Sequence, residues 1–203
     1  MKDNVAKRLF DFTVAAAGLL LLWPLLLAIA LWVRLDSPGP ALYRQVRVGR
    51  HGVPFRIRKF RTMFLDAGGP PLTVGADPRI TRAGRILRRT RLDELPQLLD
   101  VLQGTMSLVG PRPEVPRYMD AAPPALKARV LSVRPGITDP VAVAHLDESA
   151  LLAQADDPER VYRDTLLPAK LQAAAAYAEQ ATLRSDLKVI WRTLRALWGG
   201  GKP

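Results

Sequence analysis

Asp93 and Glu94 are adjacent carboxylates, and arginines crowd the stretch before them: Arg79, Arg82, Arg85, Arg88, Arg89 and Arg91. Further cations stand on short stretches elsewhere, Lys59 and Arg61 in Lys59-Phe60-Arg61-Thr62-Met63 and Arg112 in Gly110-Pro111-Arg112-Pro113. A carboxylate can accept a phosphoryl group, but it then attacks a centre that is already negative. That chemistry needs a hard cation such as Mg²⁺, and guanidiniums to neutralise the phosphate oxygens. The neighbouring arginines are expected to keep both acids ionised. A plainer reading makes Asp93 a helix N-cap and Glu94 a first-turn acid, solvated among surface arginines.

Composition narrows the field. Thirty lysines and arginines face 19 acids, a formal charge of +11, which calls for an anionic partner. With no cysteine, disulfides, thiolate catalysis and thiolate zinc sites are excluded. His51 and His145 are the two histidines, so acid–base and nucleophilic work falls to carboxylates. The arginine-rich stretches lack the interleaved aromatics of single-strand binders, so no nucleic acid is expected.

The positioning elements can be sketched from pattern. Residues 12–33 carry no charge and could just cross a hydrocarbon layer. Pro24 lies at the centre of this run, where it removes a helical amide. Positive residues flank both ends, Lys2, Lys7 and Arg8 before, Arg34, Arg44, Arg47 and Arg50 after, and both flanks prefer the cytoplasmic side. A helix that enters, bends at Pro24 and returns satisfies both; an ordinary span with a proline kink is the alternative.

Ser37-Pro38-Gly39-Pro40 ends the segment, and strands at residues 43–48 and 53–57 flank a turn at 49–52. A Gly- and Pro-rich loop follows over residues 66–78. Thr81 is placed to cap a helix whose apolar positions are Ala83, Ile86 and Leu87. Asp93 is placed to cap the next, with Leu95, Leu98, Leu99 and Leu102 as its buried stripe and Gly104 as its stop. Near the C-terminus Leu187, Ile190, Trp191, Leu194, Leu197 and Trp198 share a helical face, the pattern of a helix in the membrane interface or packed on its own core.

Taken in order, several stretches resemble the bacterial sugar transferases, the small monotopic polyprenyl-phosphate phosphoglycosyl transferases. They are Lys7-Arg8 with Asp11, Ser37-Pro38-Gly39-Pro40, Gln45 with Arg47 and Gly49, residues 59–63, and Arg79-Ile80-Thr81. They continue with Leu92-Asp93-Glu94-Leu95-Pro96-Gln97-Leu98, residues 106–113 and Arg134-Pro135-Gly136-Ile137-Thr138. The resemblance implies an α+β fold, mainly helical with a small β-hairpin and interfacial amphipathic helices. It favours the re-entrant form of residues 1–36, with residues 37–203 as a catalytic domain on the cytoplasmic face of the bacterial inner membrane.

The implied reaction is ping-pong. Asp93 attacks the β-phosphate of a UDP-sugar and releases UMP, and a polyprenyl phosphate, usually undecaprenyl phosphate, then takes the phosphosugar. This would be the first membrane step in assembling a capsule, O-antigen, exopolysaccharide or glycoprotein, with downstream glycosyltransferases as partners. The resemblance gives Mg²⁺ to Glu94, and phosphate contacts to Lys59 and Arg112 with Arg61, Arg88 and Arg134 behind them. Competing readings make Asp93 a general base for one-step transfer, or the chain a non-catalytic, membrane-anchored basic module that binds acidic lipid or nucleic acid.

Two departures stand out. The helix break common in the family as Ser-Pro is Trp23-Pro24 here, and after Thr138 the chain reads Asp139-Pro140-Val141-Ala142-Val143 in place of the frequent Gly-Trp-Ala-Gln-Val. Residues 139–164, with His145, Asp147 and Glu148, therefore carry no role from the resemblance. The extra transmembrane helices and regulatory domain of larger relatives are expected to be missing.

Overall fold

The computed structural model describes residues 5–65, 68, 73, 75, 77–139 and 148–198, with backbone alone at 148–150 and 196–198. Lys2, His145, Asp147, most of the loop 66–76 and the side chains of Glu148, Leu197 and Trp198 lie outside the described residues.

The apolar run forms α1, Val5–Asp36, a continuous α-helix with Pro24 inside it. Its 32 residues make it about 48 Å long, and by length and composition it could cross a membrane. A stripe at helical spacing is covered: Asp11, Ala15, Ile29 and Val33 are buried, and Leu22 and Leu26 are half-buried. The other face leaves Leu20, Leu21, Trp23, Leu27 and Leu31 exposed.

Both ends of α1 are tied to one body. At the start, Lys7 Nζ donates to Asp186 Oδ2 at 2.6 Å, and Arg8 donates to the carbonyls of Val101 and Leu102 at 2.6 and 2.8 Å. One turn on, Asp11 Oδ2 accepts from Ser107 Oγ at 2.8 Å. At the far end Asp36 Oδ2 accepts from the Ala83 amide at 3.0 Å.

Strands β1, Leu42–Val48, and β2, Pro54–Phe60, pair antiparallel with Tyr43 opposite Lys59. The second strand runs three residues past its expected end and so carries Lys59. The turn uses His51 at φ 57 and Gly52 at φ 79. Helix α2, Arg82–Thr90, begins as expected, with Thr81 Oγ1 accepting from Gly84 N. Ala83 and Leu87 are buried, Leu87 against Ile29, Val33 and Phe60, whereas Ile86 is 51% exposed.

A 3₁₀ turn, Leu92–Gln97, leads into α3, Leu98–Gln103, which Gly104 stops at φ 84. Strands β3, Ser107–Val109, and β4, Gly136–Thr138, pair parallel across a crossover of two short helices, α4, Pro116–Asp120, and α5, Pro124–Val130. Helices α6, Glu148–Ala153, and α7, Pro158–Val161, precede a π-helical turn, Tyr162–Leu166. Last come α8, Leu167–Gln180, and α9, Leu183–Trp198.

The expected apolar face of α9 divides. Ile190, with Val189, packs on the core around Val101, Met106 and Val109, while Leu187, Trp191 and Leu194 stay exposed. Arg195 lies over the Trp191 ring, 5.3 Å from its centre.

Candidate active site

Arg91 ends α2 in the left-handed conformation, φ 59, and Pro96 supplies no amide, so the chain makes a tight 3₁₀ turn. Asp93 and Glu94 lie inside that turn; the expected N-cap role of Asp93 is not adopted, and no side chain caps the turn. The stripe expected in α3 is also shifted. Gln97, Asp100 and Val101 are buried, Leu95, Leu98 and Leu102 are half-buried, and Leu99 is 38% exposed.

Both acids are 7% exposed, yet their surroundings differ. Glu94 Oε1 accepts from Lys59 Nζ and Arg112 Nη2, each at 2.8 Å. Burial pushes the Glu94 carboxyl up, but Arg112 and Lys59 together outweigh it and hold it well below the usual carboxylate range. Burial pulls Lys59 down to about 8, helped by Arg112 and opposed by Glu94. Arg112 is raised, chiefly by Glu94.

Asp93 Oδ1 is buried with no hydrogen-bond partner. Burial first, and the Glu94 charge second, raise its pKa, against the pull of Lys59, Arg88 and Arg91. The neighbouring cations do attract Asp93, but burial and Glu94 outweigh them, so its pKa is raised where that of Glu94 is lowered. A buried acceptor oxygen without a donor is a costly group, and such groups call for a functional reason.

Arg88 reaches this region from α2. Its Nε donates to Thr62 Oγ1 at 2.9 Å and its Nη1 to Thr73 Oγ1 at 3.3 Å, while desolvation lowers its pKa against the attraction of Asp93. Its helix lies on the backbone at Thr62, where a Cβ on Gly84 would stand 2.1 Å from the Thr62 carbonyl oxygen. Gly84 is thus required for the close approach.

The structure brings Asp93, Glu94, Lys59, Arg88 and Arg112 together, and places Arg61 and Arg134 elsewhere. Arg61 is 2% exposed and spends its guanidinium on the end of α1: the Pro40 carbonyl at 2.8 Å, Ser37 Oγ at 2.6 Å and the Ser37 carbonyl at 2.8 Å. Arg134 donates to the Gly104 carbonyl at 2.7 Å and lines a hollow with Lys7, Arg8, Asp11, Ser107 and Tyr177. Pro24 is exposed on α1, within the helix.

Sequence reading missed the supports of the site. Asp100, 1% exposed, accepts from the Arg58 amide at 3.0 Å and from the Arg58 guanidinium, fixing β2 beside α3. The signal was available, since an acid interrupts the apolar run Leu98-Leu99-Asp100-Val101-Leu102. Gln97 is buried with its amide nitrogen unpartnered.

Among the described residues no three acidic or histidine side chains form a metal cage. Mg²⁺ commonly binds through one or two carboxylates with substrate phosphates completing its shell. The Glu94 carboxylate, next in sequence to that of Asp93, is an oxygen donor of the kind such a cation takes.

The profile of a family described as bacterial sugar transferase matches residues 2–200. A UDP-glucose:undecaprenyl-phosphate glucose-1-phosphate transferase of Caulobacter vibrioides is 41% identical over 199 residues, 96% of this chain and 70% of its own length. A putative undecaprenyl-phosphate N-acetylgalactosaminyl 1-phosphate transferase of Bacillus subtilis is 46% identical over 116 residues, 56% of this chain and 65% of its own. A UDP-N-acetylgalactosamine-undecaprenyl-phosphate N-acetylgalactosaminephosphotransferase of Aeromonas hydrophila is 35% identical over 198 residues. The match covers 96% of this chain but 44% of that relative's length.

Proposed function

Because the chain belongs to the bacterial sugar transferase family, we propose that it moves a sugar-1-phosphate from a UDP-sugar to undecaprenyl phosphate through Asp93. The observation that carries the reading is the buried, unpartnered Oδ1 of Asp93 beside a Glu94 already neutralised by two cations. An oxygen with no donor keeps its lone pairs for an electrophile.

In the first half-reaction an Asp93 oxygen bonds to the β-phosphorus of the donor. The bond from that phosphorus to the bridging oxygen breaks, and UMP leaves with the electron pair. In the second, a phosphate oxygen of undecaprenyl phosphate bonds to the same phosphorus, the bond to Asp93 breaks, and the carboxylate is restored. Lys59, Arg88 and Arg112 offset the charge on the phosphate oxygens. Mg²⁺ held by Glu94 would add Lewis-acid neutralisation of the diphosphate.

The same reading gives α1 a bilayer position. Its exposed apolar face suits lipid, and its two ends are tied to one body, which supports entry and exit on a single face. Positive flanks support the cytoplasm as that face.

The test is a screen of UDP-sugars with purified protein, Mg²⁺ and undecaprenyl phosphate, scored by UMP release. The best donor is then incubated without lipid. Exchange of labelled UMP into that donor, and a phosphosugar adduct on Asp93, are expected. Turnover without such exchange would leave Asp93 as a general base in a sequential transfer. No UMP from any UDP-sugar would remove the reading.

A further inference from the structure

Arg112 stands on a loop whose backbone acceptors are taken one after another. The Pro111 carbonyl accepts from Gly136 N at 3.0 Å, the Pro113 carbonyl from Arg47 Nη1 at 3.0 Å, and the Glu114 carbonyl from Val48 N at 2.9 Å. The next side chain is turned inward: Glu114 is 5% exposed and Oε1 accepts from Tyr162 Oη at 3.0 Å. Lys170 Nζ stands 3.6 Å from the same oxygen, 3.3 Å from Tyr162 Oη and 5.0 Å from the Tyr162 ring centre. Arg47, desolvated by burial, is attracted by Glu114 as well.

Tyr162 is itself 3% exposed and opens the π-helical turn between α7 and α8. A widened turn forfeits regular helix geometry and commonly marks a functional site. Here its first residue joins the C-terminal helices to the arginine loop. Arg112, by contrast, keeps a third of its side chain exposed beyond Glu94. It is the side chain of this loop that can still meet a ligand.

We propose that Glu114, gripped by Tyr162 and Lys170, is a positioning residue for Arg112 and sets how its guanidinium meets the donor's diphosphate. The inference rests on the proposed function, in which Arg112 offsets phosphate charge. A guanidinium recognises phosphate through a planar fork, so small displacements cost contact at both oxygens.

The experiment is a double-mutant cycle in the full chain, using the UDP-sugar with the highest turnover in the screen. Tyr162→Phe deletes one oxygen. It is expected to raise the donor KM about three- to tenfold, the weight of one lost hydrogen bond. The undecaprenyl phosphate KM should stay unchanged and kcat should stay within about twofold. In an Arg112→Gln background the same change should add nothing.

Equal effects in both backgrounds, or none in the wild type, overturn the positioning role while leaving Arg112 its own. An Arg112→Gln variant with an unchanged donor KM removes the role of Arg112 and this inference with it. Should Tyr162→Phe lower the Tm, Lys170→Met carries the same cycle and the same criteria.

Discussion

Lys59 Nζ lies 2.8 Å from Glu94 Oε1, so the last residues of β2 and the 3₁₀ turn are joined by a buried ion pair. Burial nonetheless draws the lysine down to about 8. Above that pH Lys59 is neutral, Glu94 keeps Arg112 as its cation, and incoming phosphates meet one positive charge fewer. A plot of kcat/KM against pH is therefore expected to fall on an alkaline limb near 8. Lys59→Arg should move the limb beyond pH 9, because a guanidinium stays charged. A wild-type profile flat to pH 9.5 would show that this charge is not used.

Asp93 presents the opposite sign. Its pKa is raised in the folded chain, by burial and then by Glu94. The folded state thus holds its proton more tightly than the unfolded one. Stability from this group is present at low pH and lost as pH rises through the folded value, so at neutral pH the buried charge is a cost. Asp93→Asn is expected to abolish UMP release and the adduct. It should also raise the Tm by about 2–4 °C, the scale of about 1 kcal/mol in a chain of this size. Normal turnover in that variant would refute the nucleophile, and a lowered Tm would refute the stored cost.

What the sequence disclosed follows from how each residue is held. Asp93, Glu94, Lys59, Arg88 and Arg112 were legible because charge in short rigid stretches is a local signal. Arg61 belongs to an equally basic stretch, but its partners are the carbonyls of Ser37 and Pro40, which have no signature in residue type. The 3₁₀ turn was misread as a capped helix because Arg91 takes a left-handed conformation that arginine rarely favours. In α1 an apolar run without period gives no means of telling buried Ile29 from exposed Leu27. Glu114 and Tyr162 meet across 48 residues, beyond any local pattern.

Arg61 offers a direct contrast with the site arginines. Removing its guanidinium leaves the Ser37 and Pro40 carbonyls and Ser37 Oγ without a charged donor at the end of α1. Arg61→Met should cost about 3 kcal/mol, seen as a Tm lowered by about 6–12 °C. The donor KM of the folded fraction should not change. A raised KM at an unchanged Tm would return Arg61 to the substrate.

The placement of α1 can be read by labelling, since the chain has no cysteine of its own. Val5, before the apolar run, is 82% exposed, and Val53, in the hairpin turn beyond it, is 62% exposed. Val5→Cys and Val53→Cys, made singly, are expected to react with a membrane-impermeant maleimide in inverted inner-membrane vesicles and to be protected in intact spheroplasts. A spanning helix would label the two from opposite sides. It would also have to break the bonds from Lys7 to Asp186 and from Arg8 to Val101, since Asp36 holds the far end of the helix on the same body through Ala83. Opposite labelling would therefore overturn the membrane placement and the packing of the first turns of α1 together.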